Sequence, residues 1–246
     1  LRRQRQMCIR DRLKTYLDQC HINELWFNDK KEILGKDTYY ALKSPSTLFF
    51  TSGSQGKPKV VIHSDDNLRQ SAKESLYQLQ IKEKKNIITP LPLWHVGGLL
   101  NYYRTQYLES FLTTTTRSDL MSSLNKDPNS LVVLVPTQLQ RLLKENPKTQ
   151  FTRTQFYLGG SAPSKQLVNM IETRSIHALA SYGMTETAGA VAVGLRSLTP
   201  MFNCSFIKSP QGVIGIKSLR TAQSYIINKE QIKLPLSNCG HFLSSD

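Results

Sequence analysis

The chain has 246 residues, 39% of them apolar and 20% charged, and a formal net charge of +14. That length supports a buried core in one large domain or two smaller ones, and the composition is that of a globular protein rather than a disordered one. No charge-free apolar run approaches the ~18 residues that a membrane-spanning helix requires, so no stable membrane insertion is expected.

Much of the positive charge sits at the start. Arg2, Arg3, Arg5, Arg10 and Arg12 face a single acid, Asp11, in residues 1–12. The string LRRQRQMCIRDR resembles a translated sequencing-adapter read-through. It is expected to be a non-native tail, disordered or an irregular frayed helix. Elsewhere the bases are scattered, with one short cluster at Lys82, Lys84 and Lys85. No stripe interleaves bases with aromatics, so no nucleic-acid partner is expected. A solvated basic surface that attracts small anionic ligands accounts for the charge. Cys8, Cys20, Cys204 and Cys239 form no C-x-x-C pair or zinc spacing. No secretory signal is present, so free thiols in a reducing cytoplasm are expected.

Along the chain, TLFFT (47–51) reads as a buried strand and KVVI (59–62) as a second, joined by a Gly/Ser/Pro loop. Residues 66–80 read as a helix, with Leu68, Ala72, Leu76 and Leu79 near 3.6 spacing. Residues 86–89 form a short strand, and Val96–Leu108 a helix whose Gly97-Gly98 start allows close packing. LVVLV (131–135) is a strand, followed by Pro136 at a first helical position and a helix over 137–145. Residues 156–158 form a strand ending in Gly159-Gly160, 164–174 a helix, and 176–181 a strand ending at Tyr182-Gly183. After about Val191 the pattern changes to short strands, 212–216 and 224–227. The predicted class is α/β, with layered parallel-rich sheets, helices on both faces and a small β-rich subdomain at the C-terminal end.

Three loops carry candidate chemistry. Thr51-Ser52-Gly53-Ser54-Gln55-Gly56-Lys57-Pro58-Lys59 links two strands. Its glycines let backbone N–H groups converge on an anion, while hydroxyls and lysines add donors and charge, as a polyphosphate cradle requires. A polar hairpin loop is the bland alternative. A Walker loop is excluded because Pro58 follows Gly56-Lys57. A hydrolase elbow is excluded because Pro163 stands where its last glycine belongs. Tyr182-Gly183-Met184-Thr185-Glu186-Thr187 lies at a strand end, where ligands of α/β sheets sit. A glutamate beside a threonine can hold Mg²⁺ near a phosphate, and a tyrosine can stack on a base. Taken singly, Tyr182 also reads as a core aromatic and Glu186 as a helix N-terminal acid. Leu158-Gly159-Gly160-Ser161-Ala162-Pro163 lets backbone approach a flat ring, and also reads as a tight turn.

The order TSGSQGKPK, LPLWHVGG, LGGSAP, YGMTET resembles the adenylate-forming superfamily of acyl-CoA synthetases, luciferases and peptide-synthetase adenylation domains. Gly212-Val213-Ile214-Gly215-Ile216-Lys217 and Gly240-His241-Phe242-Leu243-Ser244-Ser245-Asp246 extend the match. Val213 stands where the family carries an acid, and Ser244-Ser245 where Thr-Gly is usual. Within the superfamily these strings look most like o-succinylbenzoate–CoA ligases. A fatty-acid or aryl-acid CoA ligase and a non-catalytic nucleotide-binding remnant are the alternatives.

The resemblance implies ATP-dependent activation of a small carboxylic acid to its acyl-AMP and thioester formation with CoA as substrate. It implies a pyrophosphate loop of Thr51, Ser52, Gly53, Ser54, Gly56, Lys57 and Lys59. Gly160, Ser161, Ala162 and Gly183 would border the adenine pocket and Tyr182 would stack on adenine. Thr185 would contact the α-phosphate, Glu186 would bind Mg²⁺, and Asp246 would hold the ribose. His95 lies in the motif bordering the acyl pocket, where a merely packed histidine is the other reading. Residues 13–195 would form the core of the large domain and 196–246 its β-rich part, truncated. The small C-terminal lid is expected to be absent, leaving a fragment inactive alone.

Overall fold

The computed structural model describes residues 24–27, 30–33, 46–52, 58–208, 212–227, 230–237 and 240–243. The expectation for residues 1–12 lies outside them, as do Gly53, Ser54, Gly56, Lys57, Ser245 and Asp246. In chain order the early elements are β1 (Glu24–Phe27), β2 (Lys30–Ile33), β3 (Ser46–Ser52), β4 (Pro58–Ser64), α1 (Asp65–Gln78) and β5 (Ile87–Thr89). Next come α2 (Val96–Leu108), β6 (Leu112–Thr114), α3 (Leu120–Lys126), β7 (Leu131–Leu134), α4 (Pro136–Glu145) and β8 (Gln155–Leu158). There follow α5 (Lys165–Thr173), β9 (His177–Met184), a 3₁₀ turn at Thr185–Thr187, β10 (Gly189–Gly194), β11 (Thr199–Pro200) and β12 (Cys204–Lys208). The last strands are β13 (Ile214–Ser218), β14 (Ser224–Ile227), β15 (Glu230–Ile232) and β16 (Phe242–Leu243).

Contacts divide the chain into two units. The first joins the described residues up to Asp65 with Ala222–Pro235. Its four-stranded sheet runs β15-β14-β4-β3, antiparallel throughout. The predicted strands at 47–51 and 59–62 are present, but they pair with each other as an antiparallel hairpin. The five residues between β3 and β4 are too few for a parallel crossover, which takes about a dozen. Val60, Ile62 and Ile226 pack on one face of this sheet, as the pleat's period of two dictates.

The second unit holds Asp66–Thr221 with the described part of Leu236–Ser244. Its main sheet has seven strands in the order β11-β10-β9-β8-β7-β5-β6. The five strands β5 to β9 run parallel, and β10 and β11 close one edge antiparallel. Val132, Leu134, Phe156 and Leu158 point to a face covered by Leu139, Leu143, Leu167 and Ile171 of α4 and α5. Ile87, Leu131, Val133 and Tyr157 point to the other, with Leu79 and Met201. Burial on both faces explains why these strands read as unbroken apolar runs. A separate three-stranded sheet, β12-β13-β16, is antiparallel.

Local signals behave as their chemistry requires. Pro136 opens α4, and the Gln138 side chain accepts the Val135 N–H (3.0 Å). Ser164 caps α5 by accepting the Leu167 N–H (3.1 Å). No helix among the described residues is long and apolar enough to cross a membrane. Replacing Leu139, which is fully buried, with alanine should cost about 2–5 kcal/mol in urea denaturation. The same change at Leu219, 73% exposed, should cost less than about 0.5 kcal/mol.

Candidate functional site

The carboxyl ends of β5, β7, β8 and β9 converge on one edge of the parallel sheet, the position at which open α/β sheets hold ligands. A cavity of about 340 Å³ opens there, and its wall includes His95, Gly98, Arg104, Tyr157, Gly160 and Thr185. A second cavity of about 540 Å³ is walled by Gly160, Ser161, Ala162, Tyr182, Gly183 and Arg196, among others. The two share Gly160, Ser181 and Gly183. Three motifs separated in sequence are thereby brought together: the His95 segment, the Gly160–Ala162 turn and the Tyr182–Thr185 strand end.

Glycine is required at particular points. A Cβ on Gly98 would run into the Pro92 carbonyl, so only glycine lets the first turn of α2 pack against the preceding segment. Gly160 has φ +82°, in the left-handed region. A Cβ on Gly183 would meet the Gly189 carbonyl where β9 and β10 approach each other beside an irregularity at Ala190/Ala192. His95 is the exposed N-cap residue of α2, and its carbonyl accepts from the N–H groups of Gly98 (3.0 Å) and Leu99 (2.9 Å).

Glu186 is buried in the 3₁₀ turn and does not line either cavity. The turn itself is held closely. The Thr187 hydroxyl donates to Gly189 O (2.7 Å) and accepts from Met184 N–H (3.2 Å). The Ser71 hydroxyl donates to Ala188 O, and Arg220 Nη1 donates to Thr187 O and to Ser71 Oγ, each at 3.3 Å. Arg220 Nε lies 2.6 Å from Glu74 Oε2, with both side chains buried. The N–H is not aligned with that oxygen, so the contact is an ion pair without a sound hydrogen bond. Gln70 Nε2 donates to the other oxygen of Glu74 (2.7 Å).

Arg104 is a site residue that the sequence reading missed. It is 3% exposed. Its Nε donates to Ser75 Oγ (2.8 Å), its Nη1 donates to Asn101 Oδ1 (2.6 Å), and its guanidinium lies 5.3 Å from the Tyr157 ring centroid. Among the described residues Nη2 donates to nothing, and no carboxylate pairs with the group. Burial lowers its pKa to about 10, so it stays cationic at neutral pH. A signal was available: Arg104 is the single charge in VGGLLNYYRTQYL. It stands seven residues after Gly97, on the same helix face.

Thr51 and Lys59 belong to the first unit, where they stand opposite each other on the β3–β4 hairpin. Thr51 Oγ1 donates weakly to Lys59 O (3.4 Å), and Lys59 Nζ lies 4.5 Å from the Tyr225 ring centroid. Ser52 pairs with Pro58 through the backbone, and Gly53, Ser54, Gly56, Lys57 and Asp246 lie outside the described residues. No cluster of three His, Cys, Asp or Glu that could hold a metal occurs among the described residues. Magnesium is ordinarily held by one or two carboxylates together with substrate phosphates, and the donor set of Glu186 beside Thr185 has that character.

The sequence profile of the family described as AMP-binding enzyme matches residues 5–240. The 2-succinylbenzoate–CoA ligase of Haemophilus influenzae is 35% identical over 150 residues, covering 60% of this chain and 32% of that protein. The enzyme of the same name from Staphylococcus epidermidis is 29% identical over 244 residues, covering 92% of this chain and 51% of that protein. Among solved structures, o-succinylbenzoate coenzyme A synthetase from Bacillus subtilis in complex with AMP superimposes with a TM-score of 0.67. It is 24% identical and covers 80% of this chain and 48% of that one. Escherichia coli MenE, with a bound m phenylether-linked analogue of OSB-AMS, gives a TM-score of 0.69 at 24% identity, covering 87% of this chain and 48% of that one. The chain thus spans about half the length, or less, of the relatives it matches, and the structural likeness establishes the fold.

The Glu74–Arg220 pair supplies a test of what holds the 3₁₀ turn. Glu74→Ala strands a buried guanidinium and should cost about 3–5 kcal/mol in denaturant unfolding. Glu74→Leu combined with Arg220→Met should lie much closer to the parent.

Proposed function

The chain belongs to the AMP-binding enzyme family, and from that membership we propose that it activates 2-succinylbenzoate with ATP and passes the acyl group to coenzyme A in the cytoplasm. A carboxylate oxygen attacks the α-phosphorus, pyrophosphate leaves, and the acyl-AMP is then attacked by the CoA thiol with loss of AMP. This is positioning and charge stabilisation rather than covalent chemistry by the protein.

The roles are those that the family motifs imply, and the cavities support some of them. Tyr182, Gly183 and the Gly160–Ala162 turn border the 540 Å³ cavity, suited to adenine. Thr185, at the smaller cavity, would meet the α-phosphate, and Glu186 would hold Mg²⁺, which when bound would offset the charge of the phosphates. Thr51, Ser52, Gly53, Ser54, Gly56, Lys57 and Lys59 take the departing pyrophosphate, and Asp246 the ribose. His95 borders the acid in the 340 Å³ cavity. The large-domain core at 13–195 and the β-rich part at 196–246 together carry these groups.

The observation that carries the choice of acid is the Arg104 guanidinium, removed from water, lining the smaller cavity and paired with no carboxylate among the described residues. Burying a cation is costly unless an anion compensates it. 2-Succinylbenzoate has two carboxylates, one to react with ATP and one to meet Arg104. A fatty acid or simple aryl acid has only the reacting one. The names of the relatives point to the same acid.

The test is ATP–pyrophosphate exchange over a panel of acids, in protein made from the complete reading frame. 2-Succinylbenzoate should give the strongest exchange. Arg104→Leu should lower its kcat/KM by about 10- to 100-fold, the range for a lost hydrogen bond to a charged group, while the KM for ATP stays unchanged. Affinity for this dianion should also weaken as pH rises through about 10, where Arg104 loses its proton. Exchange with no carboxylate would leave only a nucleotide-binding remnant. A salt-dependent affinity for nucleic acid in its place would point to the basic surface instead.

A further inference from the structure

The cavity that holds Arg104 contains a second polar group. Tyr157 is on β8, and the pleat turns it away from Phe156 and Leu158 toward the face shared with Val133. It is 4% exposed and lines the same cavity as Arg104. Its hydroxyl oxygen is buried and makes no sound hydrogen bond. Arg104 lies over the ring at 5.3 Å, Arg220 acts on it through its charge, and a guanidinium only donates. Ser181 is near enough to influence the phenol; its own hydroxyl donates to Leu158 O (2.8 Å), and although its oxygen could accept, the Tyr157 hydroxyl forms no hydrogen bond with it. The Tyr157 proton therefore has no hydrogen-bonded acceptor among the described residues.

We propose that Tyr157 is a specificity residue for the acid, donating its phenolic O–H to an oxygen of the second carboxylate while Arg104 Nη2 donates to the same group. The inference rests on the reading of the acid given above. A buried hydroxyl left without a partner is costly, whereas one that donates to an anion gives a strong, charge-assisted contact. Burial raises the phenol's pKa, so it remains a donor at neutral pH. Two donors of different shape, a fork and a single O–H, define a carboxylate in the plane of an aromatic ring better than either alone. An acid without that carboxylate leaves both donors without an anionic partner in the cavity, and the site discriminates against it by that penalty.

The experiment compares the protein with Tyr157→Phe and with Arg104→Leu. Calorimetric titrations use 2-succinylbenzoate and 4-oxo-4-phenylbutanoate, the same skeleton without the ring carboxylate. Tyr157→Phe should weaken 2-succinylbenzoate about tenfold and leave the monocarboxylate unchanged. Without ligand its melting temperature should equal or exceed the parent's, because an unpaired buried hydroxyl is removed. A lower melting temperature would mean that the phenol has a partner inside the fold, and the inference fails. Equal loss for both acids, or loss for neither, also overturns it, the latter pointing to a phenol satisfied by water. If Arg104→Leu alone loses 2-succinylbenzoate, the proposed acid stands and only the role of Tyr157 falls. If the parent binds neither acid, both fall.

Discussion

Parallel pairing of β5, β7, β8 and β9 is the constraint from which the candidate site follows. Parallel strands in register bring all their carboxyl ends to one edge, so loops distant in sequence meet without any long excursion. The pleat then sorts side chains. In β8, Phe156 and Leu158 go to the face under α4 and α5, while Tyr157 goes to the face that borders the cavity. A one-residue slip of this strand would exchange them and place a phenylalanine where the phenol stands. Register decides which chemistry the cavity contains.

The polar cluster beneath the cavity is unusual for a core. Arg104, Arg220 and Glu74 are all buried, and the one carboxylate pairs with Arg220 and not with Arg104. Such a cluster adds little net stability, since desolvation offsets most of the attraction. Its effect is geometric. Arg220 and Ser71 tie α1 to the carbonyls of Thr187 and Ala188, so the 3₁₀ turn bearing Glu186 is fixed from below. Arg104 is fixed by Ser75 and Asn101 through two of its nitrogens, which leaves the third directed by the rigid fork rather than by a partner. The helix α1 thus contributes to local order in both the turn and the guanidinium, the latter shared with Asn101 of α2.

Much of the architecture was legible because its signals are local. LVVLV, Pro136 at a helix start, Ser164 at a cap and the glycine pairs each express a physical preference over a few residues. Three of the motif strings, LPLWHVGG, LGGSAP and YGMTET, lie around adjoining cavities, whereas most of TSGSQGKPK lies outside the described residues. Elements with weak local signals were not legible. Gly189–Gly194 is a strand of small residues without alternation, and Leu120–Lys126 is a short helix that buries only two leucines. β14 pairs with β4 across more than 150 residues of chain, which no local window reports. Arg104 was missed for a related reason. Its meaning lies in an absent carboxylate partner, and partners are a property of the assembled core.

The two cavities meet at Gly160, Ser181 and Gly183, and this junction has consequences for the proposed chemistry. If the acid occupies the smaller cavity and adenine the larger, the reacting carboxylate and the α-phosphate must meet there. Thr185 is the residue of the 3₁₀ turn that lines the acid-side cavity. A side chain at the junction would fill it, and two of its three shared residues are glycines whose replacement the backbone resists: Gly160 by its left-handed φ, Gly183 by the carbonyl of Gly189. The same constraint that lets β9 and β10 touch therefore keeps the passage between the two cavities open.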